Sequence, residues 1–324
     1  MSKRLATFAR SACRTNLTAI RPAPGRDWGE VITVDIPAKT HDADVAGGPL
    51  RVLSWGAGRR PVIAVHGITG NATCWQPVAR ALPEDWTLYA VDLRGRGHSA
   101  ALPGPYGFDK HGADLRGAVL ALGLDRPVLV GHSLGAYIAL LAADAHPEAF
   151  GRLVLVDGGL PLPVPAGVDP DELLAASLGP ALARLTETYP TPEAYVQFWR
   201  AHPALAGAWT GDAERYVRYD LTSGPGPLRS RVVPESARSD GRDLLTSGDR
   251  IAAALNRLGS PTPLLRAPAG MFGQPPGVIP DELAAYWQAR VPVLAVQTVP
   301  QTNHYTILFD QAAAKAIAAQ LVSP

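Results

Sequence analysis

The stretch "VLVGHSLGAYIALLAA", residues 128–143, changes character twice along its length. It starts as a valine and leucine run, passes through Gly131-His132-Ser133-Leu134-Gly135, and continues as an alanine- and leucine-rich run of helical type. Pro127 to Ala143 is uncharged, but the Gly, His and Ser residues at its centre break any membrane span, so it reads as strand, turn and helix. A serine with glycine two places before it and two places after it sits on a sharp turn whose strained backbone demands small neighbours. Such a turn lifts the hydroxyl clear of the sheet and sets it at a helix N-terminus, where backbone N–H groups favour developing negative charge. Ser133 is therefore a candidate nucleophile; the alternative is a structural serine in a tight turn.

Outward from this turn the same pattern repeats. Strands are expected at Val31–Ile36, Leu50–Trp55, Pro61–His66, Trp86–Asp92, Pro127–Val130, Arg152–Asp157, Pro263–Ala267 and Val293–Val299. Runs such as "VIAVHG" (62–67) and "RLVLVDGG" (152–159) are continuously apolar, as strands covered on both faces require. Helices are expected between them at about 73–82, 109–122, 134–145, 247–258, 281–290 and 306–321. The fold class is α/β: a mostly parallel eight-stranded sheet with helices on both faces, built from residues 27–160 and 246–324. The first two strands, with no helix between them, read as an antiparallel edge. Alternation stops between Leu160 and about Gly248, where "GGLPLPVPAGVDP" (158–170) and "TSGPGPL" (222–228) bracket a helical, aromatic segment. Residues 161–245 are expected to form a helical cap over the strand ends, or else a subdomain whose aromatics are merely its own core.

Composition sets the outer bounds. The chain has 324 residues, 47% apolar and 18% charged, with a net charge of +1, so it has material for a large core and no charge excess to draw it to nucleic acid. Six Lys and Arg residues and no acid lie in residues 1–26, which read as a basic, flexible arm; its make-up leaves organelle targeting open. Cys13 and Cys74 are the only cysteines, which argues against a disulfide framework and favours a reducing, cytoplasmic setting. No metal-ligand spacing and no dinucleotide fingerprint is present, so no metal and no cofactor is expected. The expected partner is a small-molecule substrate, with no membrane span; the oligomeric state is not legible.

Taken together, the motifs resemble the α/β-hydrolase superfamily from about residue 30 to the end. "VIAVHGITGNATCW" (62–75) is similar to its His-Gly loop, and "AVDLRGRGHSA" (90–100) to its Asp-x-Arg-Gly-x-Gly-x-Ser segment. "NHYTILF" (303–309) is similar to the late loop that delivers its histidine. The resemblance implies a serine hydrolase in which the backbone N–H groups of Ile68 and Leu134 form an oxyanion hole. Of the eight histidines only His304 sits where the family order Ser…acid…His requires the general base.

The acid is the irregularity. The family usually carries it after the seventh strand, yet Pro261 to Pro280 contains no Asp or Glu. Asp157, at the end of the sixth strand, is the leading candidate, because a carboxylate there can reach the far nitrogen of the same imidazole. In many relatives, however, an Asp here only caps the following turn. Asp281 and Glu282, folded back by the proline-rich loop, are the next candidates; Asp240 or Asp243, or a dyad with no acid, remain open. His66, Trp199, Met271 and Phe272 are the candidate substrate-side residues, His66 more as a shaper of its loop. The implied activity is cleavage of an ester, lactone or thioester of a mainly apolar small molecule through an acyl-enzyme. The alternatives are a carbon–carbon bond hydrolase or perhydrolase with the same triad, or a weakly catalytic, receptor-like ligand-binding scaffold.

Overall fold

The computed structural model describes residues 37–164, 167–223 and 226–323. The basic arm and the expected strand Val31–Ile36 lie outside the described residues. Eight strands form one sheet: β1 (Lys39–Val45), β2 (Gly48–Gly56), β3 (Arg60–Val65), β4 (Trp86–Val91), β5 (Val128–His132), β6 (Leu153–Val156), β7 (Thr262–Arg266) and β8 (Leu294–Thr298). Their spatial order is β1-β2-β4-β3-β5-β6-β7-β8. β2 runs antiparallel to both neighbours, and every pair from β4 to β8 is parallel. The antiparallel edge is thus made by β1, whose Lys39, Asp42 and Asp44 face solvent and hide it from hydrophobic patterning.

The continuous apolar runs are explained by burial on both faces. In β3, Ile63 and Val65 pack into one core and Val62 and Ala64 into the other; β6 alternates in the same way. One face is covered by α2 (Phe108–Ala121), α3 (Leu134–Ala145), α8 (Gly248–Asn256) and α9 (Asp281–Arg290). The other is covered by α1 (Gln76–Ala81) and α11 (Gln311–Val322). The helix expected over 306–321 is divided: α10 (Thr306–Phe309) stops before Asp310, whose side chain caps α11 by accepting from Ala313 N.

Among the described residues, four further α-helices lie between β6 and α8: α4 (Pro170–Ala183), α5 (Pro192–Arg200), α6 (Gly211–Tyr219) and α7 (Pro234–Thr246). Thr191 and Thr210 cap α5 and α6, and Pro192 occupies the first turn of α5, where its missing N–H costs nothing. Tyr195, Val196, Trp199 and Val217 join the core on the α11 face, so most aromatics of this segment serve its own packing.

Candidate active site

β5 ends at His132, α3 begins at Leu134, and Ser133 alone makes the turn, with φ 54° and ψ −125°. That backbone is costly for an L-residue and persists only where its surroundings hold it. Here Ser133 N donates to Val156 O at 2.9 Å, tying the turn to β6. A β-carbon on Gly135 would lie 2.2 Å from Val65 O, so only glycine lets α3 start this close to β3.

His304 reaches the turn from the loop after β8. Asn303 fixes that loop: its Oδ1 accepts from Tyr305 N and Thr306 N, and its Nδ2 donates to Ala204 O. His132 Nε2 donates to the His304 carbonyl at 2.9 Å. Burial holds the His132 ring well below the ordinary histidine pKa, so it serves as a neutral donor. His304 Nε2 lies 2.9 Å from Ser133 Oγ and Nδ1 lies 2.7 Å from Asp157 Oδ2.

Asp157 is fully buried at the end of β6, with φ 46°. Its Oδ1 accepts from Ala267 N at 3.0 Å, and its own N–H donates to Leu265 O at 2.7 Å. A carboxylate only accepts, so the His304 proton sits on Nδ1 and Nε2 is left to accept from the serine hydroxyl. Gly158 lets the chain leave: a β-carbon there would sit 2.4 Å from Ser133 O.

The His-Gly loop sets an amide opposite. His66 is fully buried; its Nδ1 donates to Gly67 O at 2.8 Å and its Nε2 accepts from Leu93 N at 3.0 Å. Burial pushes its pKa down to about 3, so the ring is neutral and its tautomer fixed. Gly70 N also donates to Gly67 O, at 3.0 Å. With that carbonyl held from two sides, the trans peptide turns the N–H of Ile68 the other way. Ile68 and Leu134 both line the cavity over Ser133, and Leu134 opens a helix, where the first amides have no intrahelical acceptor.

The cavity is walled by Leu174, Tyr216, Leu244 and Leu245 from the inserted helices, and by Met271, Val278, Leu308 and Phe309 from the core. Its described lining contains no Lys, Arg or Glu. Met271 is the one expected substrate-side residue among the wall residues. His66 sits behind the loop with both ring nitrogens spent on backbone, which fits the loop-shaping reading and removes it from the substrate side. Trp199 is corrected: it is buried one layer behind the wall, against Tyr195, Tyr216 and Tyr305, and does not line the cavity. Phe272 is 51% exposed and stacks on His202 instead of facing Ser133.

The rival acids lie elsewhere. Asp281 pairs with Arg266 at the surface and is 85% exposed; Glu282 is exposed beside it. Asp240 is bound by Arg96, His111 and Gly107 N, and Asp243 accepts from Phe108 N. Leu174, Leu244, Leu245, Leu308 and Phe309 line the cavity although the sequence alone does not single them out. Only the position of Leu308 and Phe309, directly after the histidine loop, could have marked them. Among the described residues no group of three His, Cys, Asp or Glu is placed to hold a metal ion, and no helix is long and apolar enough to cross a membrane.

Comparison with known proteins agrees with this architecture. Residues 60–217 match the family model described as alpha/beta hydrolase fold. A putative carbamate hydrolase of Caulobacter segnis is 40% identical over 104 residues, 32% of this chain and 39% of that protein. N-formylmaleamate deformylase of Pseudomonas putida is 42% identical over 106 residues, 32% of this chain and 40% of that protein. The chain thus spans about two fifths of the length of these curated relatives. The crystal structure of E-2-(acetamidomethylene)succinate hydrolase superposes with a TM-score of 0.73 at 22% identity, covering 89% of this chain and 100% of that one, a likeness of fold. The eight-stranded sheet, the serine turn and the family match lead to one conclusion: the chain has the α/β-hydrolase fold, and over residues 60–217 it matches the model of that family.

Proposed function

We propose that the protein is a serine hydrolase acting on uncharged, mainly apolar carboxylic esters or thioesters. The observation that carries this reading is the hydrogen-bonded series Ser133–His304–Asp157 at the floor of an apolar cavity. In it, His304 Nε2 takes the proton as Ser133 Oγ attacks the substrate carbonyl carbon. The oxyanion is received by the N–H groups of Ile68 and Leu134, each donor of this kind being worth about 10²–10³ in rate. The C–O or C–S bond breaks as His304 returns the proton to the leaving alcohol or thiol. Water then attacks the acyl-enzyme, giving one proton to His304, and the acid departs as Ser133 is reprotonated. Asp157 holds the imidazole in its Nδ1–H tautomer and stabilises the imidazolium between the two steps.

Residues 161–245 act as the cap. They supply Leu174, Tyr216, Leu244 and Leu245 to the cavity roof, which keeps the oxyanion in a water-poor setting where donors act strongly. The absence of cations from the described lining favours a neutral substrate, because a carboxylate buried there would go unpaired. A second reading is favoured by the names of the relatives: a carbamate or amide, cleaved at its C–N bond by the same residues. Turnover of p-nitrophenyl butyrate separates a hydrolase from a ligand-binding scaffold. The reading expects saturable release of nitrophenolate that Ser133→Ala abolishes. Nitrophenolate release that Ser133→Ala leaves unchanged would contradict it.

A further inference from the structure

Arg96 is fully buried between the core and the inserted helices. Its Nε donates to Ile68 O at 3.0 Å and its Nη1 to Arg94 O at 3.0 Å. The same Nη1 lies 2.5 Å from Asp240 Oδ2 on α7, and that carboxylate is itself fully buried. Asp240 also accepts from Gly107 N at 2.7 Å and from His111 Nε2 at 2.9 Å. One helix turn on, Asp243 Oδ2 accepts from Phe108 N at 2.9 Å without touching Arg96. α7 is therefore docked by two carboxylates, of which only Asp240 is connected, through Arg96, to the loop that carries Ile68.

Buried ion pairs are a weak source of stability. This one also leaves Arg96 Nη2 and His111 Nδ1 buried without a partner among the described residues. The arrangement is thus better accounted for by what it holds in place. Both peptide groups flanking the Ile68 α-carbon are pinned through their carbonyls. Gly67 O is held by His66 and Gly70 N, and Ile68 O by Arg96. With both fixed, the Ile68 N–H is held in one orientation.

We propose that Arg96, anchored by Asp240 of α7, is a positioning residue for the Ile68 amide, so that docking of α7 on the core completes the oxyanion hole. The proposal rests on the reading of the site given above. Asp240→Asn keeps the shape and the acceptor for Gly107 N but presents an amide donor to the guanidinium. Arg96 then loses its anchor and Ile68 O its fixed partner. A displacement of this kind lowers turnover by about ten- to a hundredfold.

The test measures p-nitrophenyl butyrate turnover and the inhibition constants of two ligands on wild type, Asp240→Asn, Arg96→Lys and Asp243→Asn. 1,1,1-Trifluoro-2-octanone forms an oxyanionic hemiketal with a reactive serine, whereas 2-octanol occupies the cavity without one. Circular dichroism at the assay temperature establishes that each variant is folded. The brace predicts that Asp240→Asn and Arg96→Lys lose kcat and trifluoroketone affinity together, by about ten- to a hundredfold, with KM and 2-octanol inhibition nearly unchanged. Asp243→Asn, which loosens α7 without touching Arg96, keeps the wild-type ratio of the two inhibition constants. Equal losses of both inhibitors in all three variants, or full kcat in folded Asp240→Asn and Arg96→Lys, would overturn the brace and leave the site intact. A folded wild type with neither turnover nor trifluoroketone affinity would instead overturn the reading of the site.

Discussion

Asp157 and His304 are 147 residues apart in the chain, yet Asp157 Oδ2 lies 2.7 Å from His304 Nδ1, with the imidazole between that carboxylate and Ser133. Asp157→Asn keeps the volume but offers an amide that can stabilise the wrong tautomer. Ester turnover is expected to fall by roughly 10³–10⁴ with the fold intact. Asp281→Asn, which disturbs only a surface pair with Arg266, is expected to stay within about twofold of wild type. Steady-state kinetics on the two purified variants checks the ranking.

The serine turn is sensitive to a single methyl group. In Gly135→Ala the new carbon would meet Val65 O at 2.2 Å, a backbone atom in the middle of the sheet that cannot step aside. A loss of stability on the order of 3 kcal/mol is expected, together with loss of turnover. Gly259→Ala, which meets open space, is expected to be neutral or slightly stabilising. Thermal denaturation of the two variants measures the contrast.

Substrate charge offers a test of the cavity. Two nitrophenyl esters of equal acyl length, one ending in methyl and one in carboxylate, should differ by at least about 10² in kcat/KM in favour of the neutral ester. The charged acyl group would be buried among Leu174, Leu244, Leu245 and Phe309 with no cation in the described lining. Equal efficiencies would contradict the neutral-substrate reading.

Acid should destabilise the protein. Burial holds His66 neutral down to about pH 3 and pushes His132 well below its ordinary value, while both take up protons near pH 6.5 once unfolded. Their stabilisation is thus fully present above pH 6.5 and is lost as pH falls through the range from 6.5 towards 3. Asp92 works the other way: burial raises its pKa to about 6, so its protonation between pH 6 and about 3.8 favours the folded state. With two histidines against one carboxylate, the urea midpoint is expected to be lower at pH 5 than at pH 7.5. A midpoint that is equal or higher at pH 5 would contradict this.

The parallel strands were legible because burial on both faces writes an unbroken apolar run, as in β3 and β6, and the serine turn because its glycines are sterically required. Asp157 could be singled out only because Pro261 to Pro280 offers no rival. Edge strand β1 was not legible, since its charged residues face water. The cavity walls were misread for a related reason. Aromatic content marks a packed helical segment but not which side of it faces a ligand, so Trp199 was favoured over Leu244 and Leu245. The ties from α7 to the core were equally hidden, because Asp240 meets Arg96 across 144 residues with no local pattern to announce it.

The central claim is that Ser133 is an activated nucleophile, and covalent labelling tests it without knowledge of the substrate. The wild-type protein and Ser133→Ala would be treated with an alkyl fluorophosphonate and followed by intact mass, with the adduct located by peptide mapping. Rapid, single-site phosphonylation of wild type at Ser133 is expected, with none of the alanine variant and a labelling rate sharply reduced in Asp157→Asn. A folded wild-type protein that resists the probe, or is labelled equally without Ser133, would contradict it.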